Sequence, residues 1–167
     1  RRPVSAAGEG AMPRADIQTA YVHDIPAIMR VMDAAFAPEY GEAWNSAQML
    51  TLFALPSAHV AIISNSHQVC GFYAARVAGP ETELLLIAIH PEQRGLGFGK
   101  LLMEDWQNWA FQQGADDYFL EMRADNEAVK LYNSSGFSEC GRRSNYYRGN
   151  DGVLRDAITM RRTISRS

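Results

Sequence analysis

The stretch that decides the fold is residues 83–106, which read ELLLIAIHPEQRGLGFGKLLMEDW. Residues 84–89 are apolar without alternation, which is typical of a strand covered on both faces. From Phe98 onward, apolar residues recur at helical spacing, so the pattern predicts a helix. A glycine-rich turn, residues 94–99, joins the two elements. Such a strand, turn and helix offer unpaired backbone N–H groups and a favourable helix dipole to an anion, and glycine lets the backbone approach a phosphate closely.

Two familiar nucleotide-binding motifs are excluded by the spacing of this turn. A Walker loop requires Gly at position 94 and Ser or Thr at position 101, where this chain has Arg94 and Leu101. A dinucleotide fingerprint requires a third glycine at position 100, and here it comes one residue early, at Gly99. The turn therefore indicates an anion site of another kind.

The same periodicity predicts the elements on either side of this stretch. Helices are expected after Asp24 and after Ser46, each acting as an N-cap, and a short helix is expected around Tyr132. We expect further strands at residues 17–22, 58–63, 69–77, 118–122, 139–147 and 154–163. This order of strands and helices predicts a mixed α/β sheet.

Composition and charge limit the classes of protein. The chain has 167 residues, 47% of them hydrophobic, and a formal net charge of −3, which argues against disorder and against wholesale nucleic-acid binding. We read residues 1–12 as a flexible leader and residues 13–165 as one domain. The apolar runs are too short for a membrane helix, and the two cysteines, Cys70 and Cys140, are expected to be buried thiols. These features predict a cytoplasmic protein without a metal, a monomer or weak dimer that contacts neither membrane nor nucleic acid directly.

The net charge conceals an asymmetry along the chain. An acidic segment, residues 15–139, holds 16 acidic and 6 basic residues, a balance of −10. A basic segment, residues 140–167, holds 7 Arg and 2 Asp, a balance of +5. The acidic segment could attract a basic partner.

Four motifs in order resemble one family. Arg94-x-x-Gly97-x-Gly99 resembles the Q/R-x-x-G-x-G/A signature of the GNAT superfamily of acetyl-CoA-dependent N-acetyltransferases. The next two motifs, LEMRADN at residues 120–126 and LYNSSGF at residues 131–137, are similar to family motifs that follow it. The last, GRRSNYY at residues 141–147 with DAITM at residues 156–160, resembles the branch of bacterial ribosomal-protein-alanine N-acetyltransferases.

The resemblance implies a fold and a cofactor. It implies the GNAT acyl-CoA N-acyltransferase fold, a mixed, mostly antiparallel sheet of six to seven strands flanked by helices. Acetyl-CoA is the implied cosubstrate, held by the turn amides and by a central strand that splays from its neighbour. The implied cofactor-binding residues are Ile87, Ala88, Ile89, Arg94, Gly95, Leu96, Gly97, Phe98, Gly99, Lys100 and Asn126.

Glu121 and Tyr132 are the candidate catalytic residues. Glu121 interrupts an apolar run, so partial desolvation is expected to raise its pKa toward the range of a general base. The resemblance gives Glu121 that role, often through a water. It makes Tyr132 the acid that protonates the departing thiolate, which suits a phenol with an ordinary pKa near 10. His90, at the end of the central strand, is the reserve base.

One spacing departs from the branch. The chain takes six steps from Asn126 to Tyr132, where the branch usually takes seven. Either the loop is one residue shorter or Asp125 fills the role of the family asparagine, and both alternatives stay open here.

The acceptor is expected to be an amine. An α-amine is neutral in roughly one molecule in ten at pH 7, against fewer than one in about 1,000 for Lys, so a modest base suffices for it. The resemblance points to the N-terminal Ala of a ribosomal protein, with Tyr146 and Tyr147 near the peptide entrance. The alternatives are a GNAT enzyme that acetylates a small-molecule amine or a protein lysine, and a non-catalytic acyl-CoA-binding regulatory module.

Overall fold

Seven strands form one sheet in the computed structural model, which describes residues 15–166. The strands are β1 Ala15–Thr19, β2 Ala58–Asn65, β3 Gln68–Ala78, β4 Glu81–Ile89, β5 Asp117–Arg123, β6 Ser138–Arg148 and β7 Leu154–Thr163. The helices are α1 Ile25–Ala35, α2 Ser46–Phe53, α3 Phe98–Gln112 and α4 Val129–Ser134. The expected leader, residues 1–12, lies outside the described residues.

The strand order is β1-β2-β3-β4-β5-β7-β6, and all neighbours are antiparallel except β4 and β5. The parallel pair requires a crossover, and α3 supplies it. The expected mixed, mostly antiparallel sheet flanked by helices is therefore confirmed, with seven strands.

Each face of the sheet carries its own apolar core. On one face α3 and α4 pack through Leu102, Trp106 and Tyr132, and Trp106 is fully buried. On the other face α1 and α2 pack through residues such as Ile28 and Leu52. The central strand β4 contributes to both cores, as its unbroken apolar run predicts.

Two local expectations are wrong. The N-cap of α2 is Asn45, whose side chain accepts a hydrogen bond from the Gln48 amide, while Ser46 is the first helical residue. Cys140 is exposed because it lies on the edge strand β6, and only Cys70 is buried. No helix within residues 15–166 is long and apolar enough to cross a membrane.

A prediction on acid stability follows from Asp117 at the start of β5. Its carboxylate accepts hydrogen bonds from Arg161 Nε and Nη2, both at 2.7 Å, and from the Thr163 hydroxyl at 3.2 Å. The Arg161 bonds hold the Asp117 pKa below its ordinary value. The stability this gives is present above the ordinary Asp pKa and is lost as pH falls through the lower, folded pKa.

Asp117→Asn is therefore expected to lower Tm at neutral pH by about 1–3 °C and to make the fall of Tm below about pH 5 shallower. Calorimetric scans from pH 7 to pH 2 measure both effects. Asp116→Asn is the matched control, since the Asp116 side chain makes none of these bonds. An equal loss of Tm at every pH would contradict this electrostatic account.

Candidate active site

The site begins where β4 and β5 separate. Residues Glu81 to Leu84 pair with Asp117 to Leu120, and pairing between the two strands ends there. At the same point Leu85 is an extra residue against β3, since Ala74 faces Leu86 and Ala75 faces Leu84. A bulge of this kind bends the strand and ends pairing. Beyond it, the edge of β4 that carries Ile87, Ala88 and Ile89 is open toward β5, so backbone groups there are available to a ligand, apart from the Ile89 carbonyl that Arg94 binds.

The glycine turn lies directly after this open strand. Gly95 and Gly97 have φ values of 80° and 82°, in the left-handed region that favours glycine, and a Cβ at either would meet no atom within 4 Å. Within residues 15–166, no group accepts a hydrogen bond from the backbone amides of residues 95–100. These amides are at the N-terminus of α3, where the helix dipole also favours negative charge.

The Arg94 side chain has a structural role beside the turn. Its guanidinium donates to the carbonyl of Ile89 and to the carbonyl of Ala35, both at 3.3 Å. It therefore joins the end of β4 to the end of α1 and does not point into the turn. Lys100 is exposed on the first turn of α3.

Glu121 is the first β5 residue beyond the pairing with β4. Tyr118, Leu120 and Met122 point into the α3 core, so Glu121 faces the opposite side, where α1 and α2 lie. The side chain is half-buried rather than on an open solvent face. The Tyr147 hydroxyl donates a hydrogen bond to Glu121 Oε1 across 3.4 Å.

Tyr132 and Tyr147 are the two phenols of the site. Tyr132 is 6% exposed, and its pKa lies above the ordinary value because of burial first and the nearby Glu42 carboxylate second. The Tyr147 pKa is raised by burial first and then by Glu121 and Glu42. Both phenols therefore remain protonated at neutral pH and can donate a proton or a hydrogen bond. Tyr146 is exposed, with its ring edge-to-face against Tyr147.

The loop between β5 and α4 separates the roles of Asp125 and Asn126. The Asp125 carboxylate is bound by Arg123 and lies 3.4 Å from Arg155 Nε. The Asn126 Oδ1 accepts from the Ala128 amide at 2.9 Å, which shapes the entry to α4. His90 Nδ1 accepts from the Glu92 amide at 3.2 Å, so one of its ring nitrogens is used to cap a turn.

Sequence reasoning missed the cluster around Arg123. Its side chain is 9% exposed, and its guanidinium binds Glu42 and Asp125 and lies 3.5 Å from the centre of the Tyr40 ring. Arg155 covers the same ring at 4.8 Å. These contacts hold the loop between α1 and α2 against the end of β5. The sequence signal available was a second charged residue, Arg123, two positions after Glu121 and therefore on the same face of β5.

The arrangement can perform a proton-coupled group transfer. It has a carboxylate to accept a proton, a buried phenol to donate one, a strand edge to align an acyl chain and free amides to hold a phosphate. No cluster of His, Cys, Asp and Glu side chains within residues 15–166 has the geometry of a metal site.

Two of the curated proteins that the chain resembles share one name. Over 146 residues the chain is 32% identical to the ribosomal protein bS18-alanine N-acetyltransferase of Escherichia coli K12, covering 85% of this chain and 93% of that protein. Over 95 residues it is 36% identical to the Haemophilus influenzae protein of the same name. That alignment covers 57% of this chain and 65% of the relative, slightly under two thirds of it.

Solved structures agree with this similarity. The crystal structure of the ribosomal-protein-S18-alanine N-acetyltransferase from Escherichia coli has a TM-score of 0.82 at 28% identity, over 92% of this chain and 96% of that one. The yncA structure from Salmonella typhimurium with its cofactor acetyl-CoA shares the fold, with a TM-score of 0.77 at 18% identity over 92% and 95%. Residues 29–137 match the Acetyltransferase (GNAT) family. The chain therefore belongs to the GNAT family of acetyltransferases.

Proposed function

We propose that this enzyme transfers the acetyl group of acetyl-CoA to the N-terminal α-amine of a ribosomal protein that begins with Ala. The observation that carries the proposal is the opening between β4 and β5, because Glu121 and the glycine turn lie at its two sides. The acceptor comes from the names of the Escherichia coli and Haemophilus influenzae relatives. Such an acceptor also places the enzyme in the cytoplasm.

The residues at the opening fit acetyl-CoA, which supplies an activated acetyl thioester when bound. The free amides of residues 95–100 would hold its pyrophosphate. The open edge of β4 at Ile87, Ala88 and Ile89 would align the pantetheine chain and polarise the thioester carbonyl. Arg123 binds the carboxylate of the neighbouring Asp125. Asn126 is therefore the better candidate for a further contact with the cofactor.

Glu121 and Tyr132 would move the two protons of the reaction. Glu121 accepts a proton from the attacking amine, directly or through a water, and Tyr132 donates a proton to the sulfur that leaves. The raised pKa of Tyr132 keeps that proton on the phenol until the thiolate forms. Tyr147, which bonds Glu121, and the exposed Tyr146 that packs against it would contact the entering peptide.

An α-amine suits this machinery better than a lysine. The reference pKa of an α-amine is near 7.7–8.0, against about 10.4 for Lys, so far less work is required to deprotonate it near neutral pH. A single half-buried carboxylate is then a sufficient base.

Mass spectrometry of ribosomal proteins incubated with acetyl-CoA tests the proposal. We expect one added acetyl group on the terminal Ala of a small-subunit protein, located by fragmentation. The matched control is a peptide with the same sequence as the acceptor's N-terminus but with a blocked α-amine and a free lysine. Polyamines and aminoglycosides are tested as competing acceptors. Acetylation of lysine or of the small amines in preference to the α-amine would contradict it.

Charge predicts how the rate depends on salt. The acidic segment, residues 15–139, carries a balance of −10, so a basic peptide should be attracted to the enzyme. We expect kcat/KM for a basic Ala-peptide to fall at least roughly threefold between low salt and about 0.5 M, with acetyl-CoA saturating. An Ala-peptide of zero net charge is the control. Equal salt dependence for the two peptides would rule out steering by charge.

A further inference from the structure

An irregularity in the β6–β7 ladder lies next to Tyr147. Arg143 faces Ala157, but the next paired residues are Tyr147 and Arg155. Three residues of β6, Ser144, Asn145 and Tyr146, therefore stand against one residue of β7, Asp156. This is a bulge of two extra residues, called the β6 bulge below.

The β6 bulge decides where Tyr147 lies. If the register of Arg143 with Ala157 simply continued, Asn145 would face Arg155 and Tyr147 would lie two positions further toward the hairpin turn. Two positions correspond to about 7 Å along a strand. Since two is an even number, Tyr147 would keep its face of the sheet but would be too far from Glu121 for their present hydrogen bond. The bulge thus brings the phenol to the base.

One carboxylate holds the β6 bulge. Asp156 Oδ1 accepts from the Asn145 amide at 2.9 Å, and Asp156 Oδ2 accepts from Arg142 Nη1 at 3.0 Å. The Asp156 pKa lies below its ordinary value, chiefly because of the hydrogen bond from the Asn145 amide and next because of the bond from Arg142. Asn145 has a φ of 55°, in the left-handed region that Asn tolerates better than most residues. The bulge therefore has both a suitable residue and a side-chain acceptor for its free amide.

Asp156 is also joined to the end of β5. Its backbone carbonyl accepts from the Ala124 amide at 2.9 Å, just beyond the strand that carries Glu121. The same residue thus contacts the bulge through its side chain and the base strand through its backbone. A change at its carboxylate leaves the backbone contact in place.

We propose that Asp156 is a positioning residue, which holds the β6 bulge and thereby sets Tyr147 against Glu121 at the peptide entrance. The role rests on the proposed function, because it assigns Tyr147 to the acceptor side. Asp156 touches neither the reacting atoms nor the cofactor turn. Loss of its carboxylate should therefore raise the KM of the peptide and leave the KM of acetyl-CoA unchanged.

The first test is a kinetic comparison of Asp156→Ala with the wild type. We expect the KM of an Ala-peptide to rise about tenfold, the effect of losing one well-placed contact, while the KM of acetyl-CoA stays within twofold. Asp156→Asn keeps an oxygen for the Asn145 amide and should stay within about threefold of the wild type. Arg142→Ala, which removes the other Asp156 bond and a 3.4 Å contact with Glu139 but leaves the Asn145 bond, is the matched control and should do the same. A tenfold rise in Arg142→Ala, or none in Asp156→Ala, would overturn the proposal.

A double-mutant cycle separates positioning from a general structural role. If Asp156 acts through Tyr147, then Tyr147→Phe should add less than twofold to the peptide KM in the Asp156→Ala background. Effects that multiply would mean that Asp156 acts elsewhere, and the proposal would be wrong. If the wild type prefers another amine, the same cycle is measured with that amine.

Hydrogen exchange supplies a readout that does not depend on the substrate. The Asn145 amide should exchange at least tenfold faster in Asp156→Ala than in Arg142→Ala, while amides of α3 exchange as in the wild type. Unchanged exchange at residues 144–147 would overturn the proposal even if the acceptor is confirmed. Where Asp156→Ala does not fold, Asn145→Ala replaces it, because it makes the left-handed φ more costly and should loosen the same bulge.

Discussion

Tyr132→Phe is expected to lower kcat by roughly 100-fold or more while acetyl-CoA affinity changes by less than about twofold. The substitution removes only the hydroxyl, so the ring keeps its place in the core between α4 and the sheet. What is lost is the proton for the departing thiolate. Because the role is confined to the transition state, the defect should appear in kcat and not in binding.

The measurements for this variant are release of free thiol for kcat and calorimetric titration for acetyl-CoA affinity. Tyr118→Phe is the matched control, since it removes a buried hydroxyl from the same core, where it bonds the Gln107 carbonyl at 3.1 Å. The control should keep kcat within about threefold. A Tyr132→Phe enzyme with more than a third of the wild-type kcat would remove Tyr132 from the mechanism.

The raised pKa of Tyr132 adds a pH signature. An ordinary phenol loses its proton near pH 10, and burial moves the Tyr132 pKa above that value. Deprotonation of the acid should therefore not reduce kcat of the wild type up to about pH 10. A loss of kcat centred below pH 10 that is absent in Tyr132→Phe would mean that the Tyr132 pKa is not raised.

Glu121→Gln is expected to lower kcat/KM for an Ala-peptide by roughly 100- to 1,000-fold near pH 7, the usual effect of removing a general base. Gln retains an oxygen that can accept from the Tyr147 hydroxyl, so the local geometry should survive. The base is needed most while the substrate is protonated. Between about pH 7 and pH 9 the neutral fraction of an α-amine rises from roughly one tenth to more than nine tenths.

The Glu121→Gln defect should therefore shrink by about tenfold over that interval. A pH series of kcat/KM at saturating acetyl-CoA measures it. Glu83→Gln is the control, because the Glu83 carboxylate pairs with Arg76 in the part of β4 that is still paired with β5. A defect of the same size at every pH would mean that Glu121 supports the structure and does not accept the proton.

Much of the site could be predicted because its signals are local. Glu121 stands in a strand whose alternate residues, Tyr118, Leu120 and Met122, are apolar, so its face could be inferred from a period of two. The glycine turn could be predicted because few residues other than glycine adopt the φ values found at Gly95 and Gly97. In both cases the information lies within a few residues of the group concerned.

The residues that were missed depend on contacts between distant parts of the chain. Glu42 meets Arg123 across 81 positions, and Arg94 reaches the Ala35 carbonyl across 59. Neither pair has a spacing that identifies it. Cys140 is exposed for the same reason, because β7 lies beside β5 and leaves β6 at the edge of the sheet.

The sequence by itself determined the order of strands and helices and the glycine turn, because hydrophobic period and glycine conformation act over a few residues. The candidate base and acid came from the resemblance of its motifs to the GNAT family. Only the tertiary structure decided that β4 and β5 separate after Leu84 and Leu120, that Glu42 lies near both phenols, and that Tyr147 rather than Asn145 faces Arg155. Register is set by pairing and packing between strands, so one carboxylate on β7, that of Asp156, can determine which β6 residue meets the base.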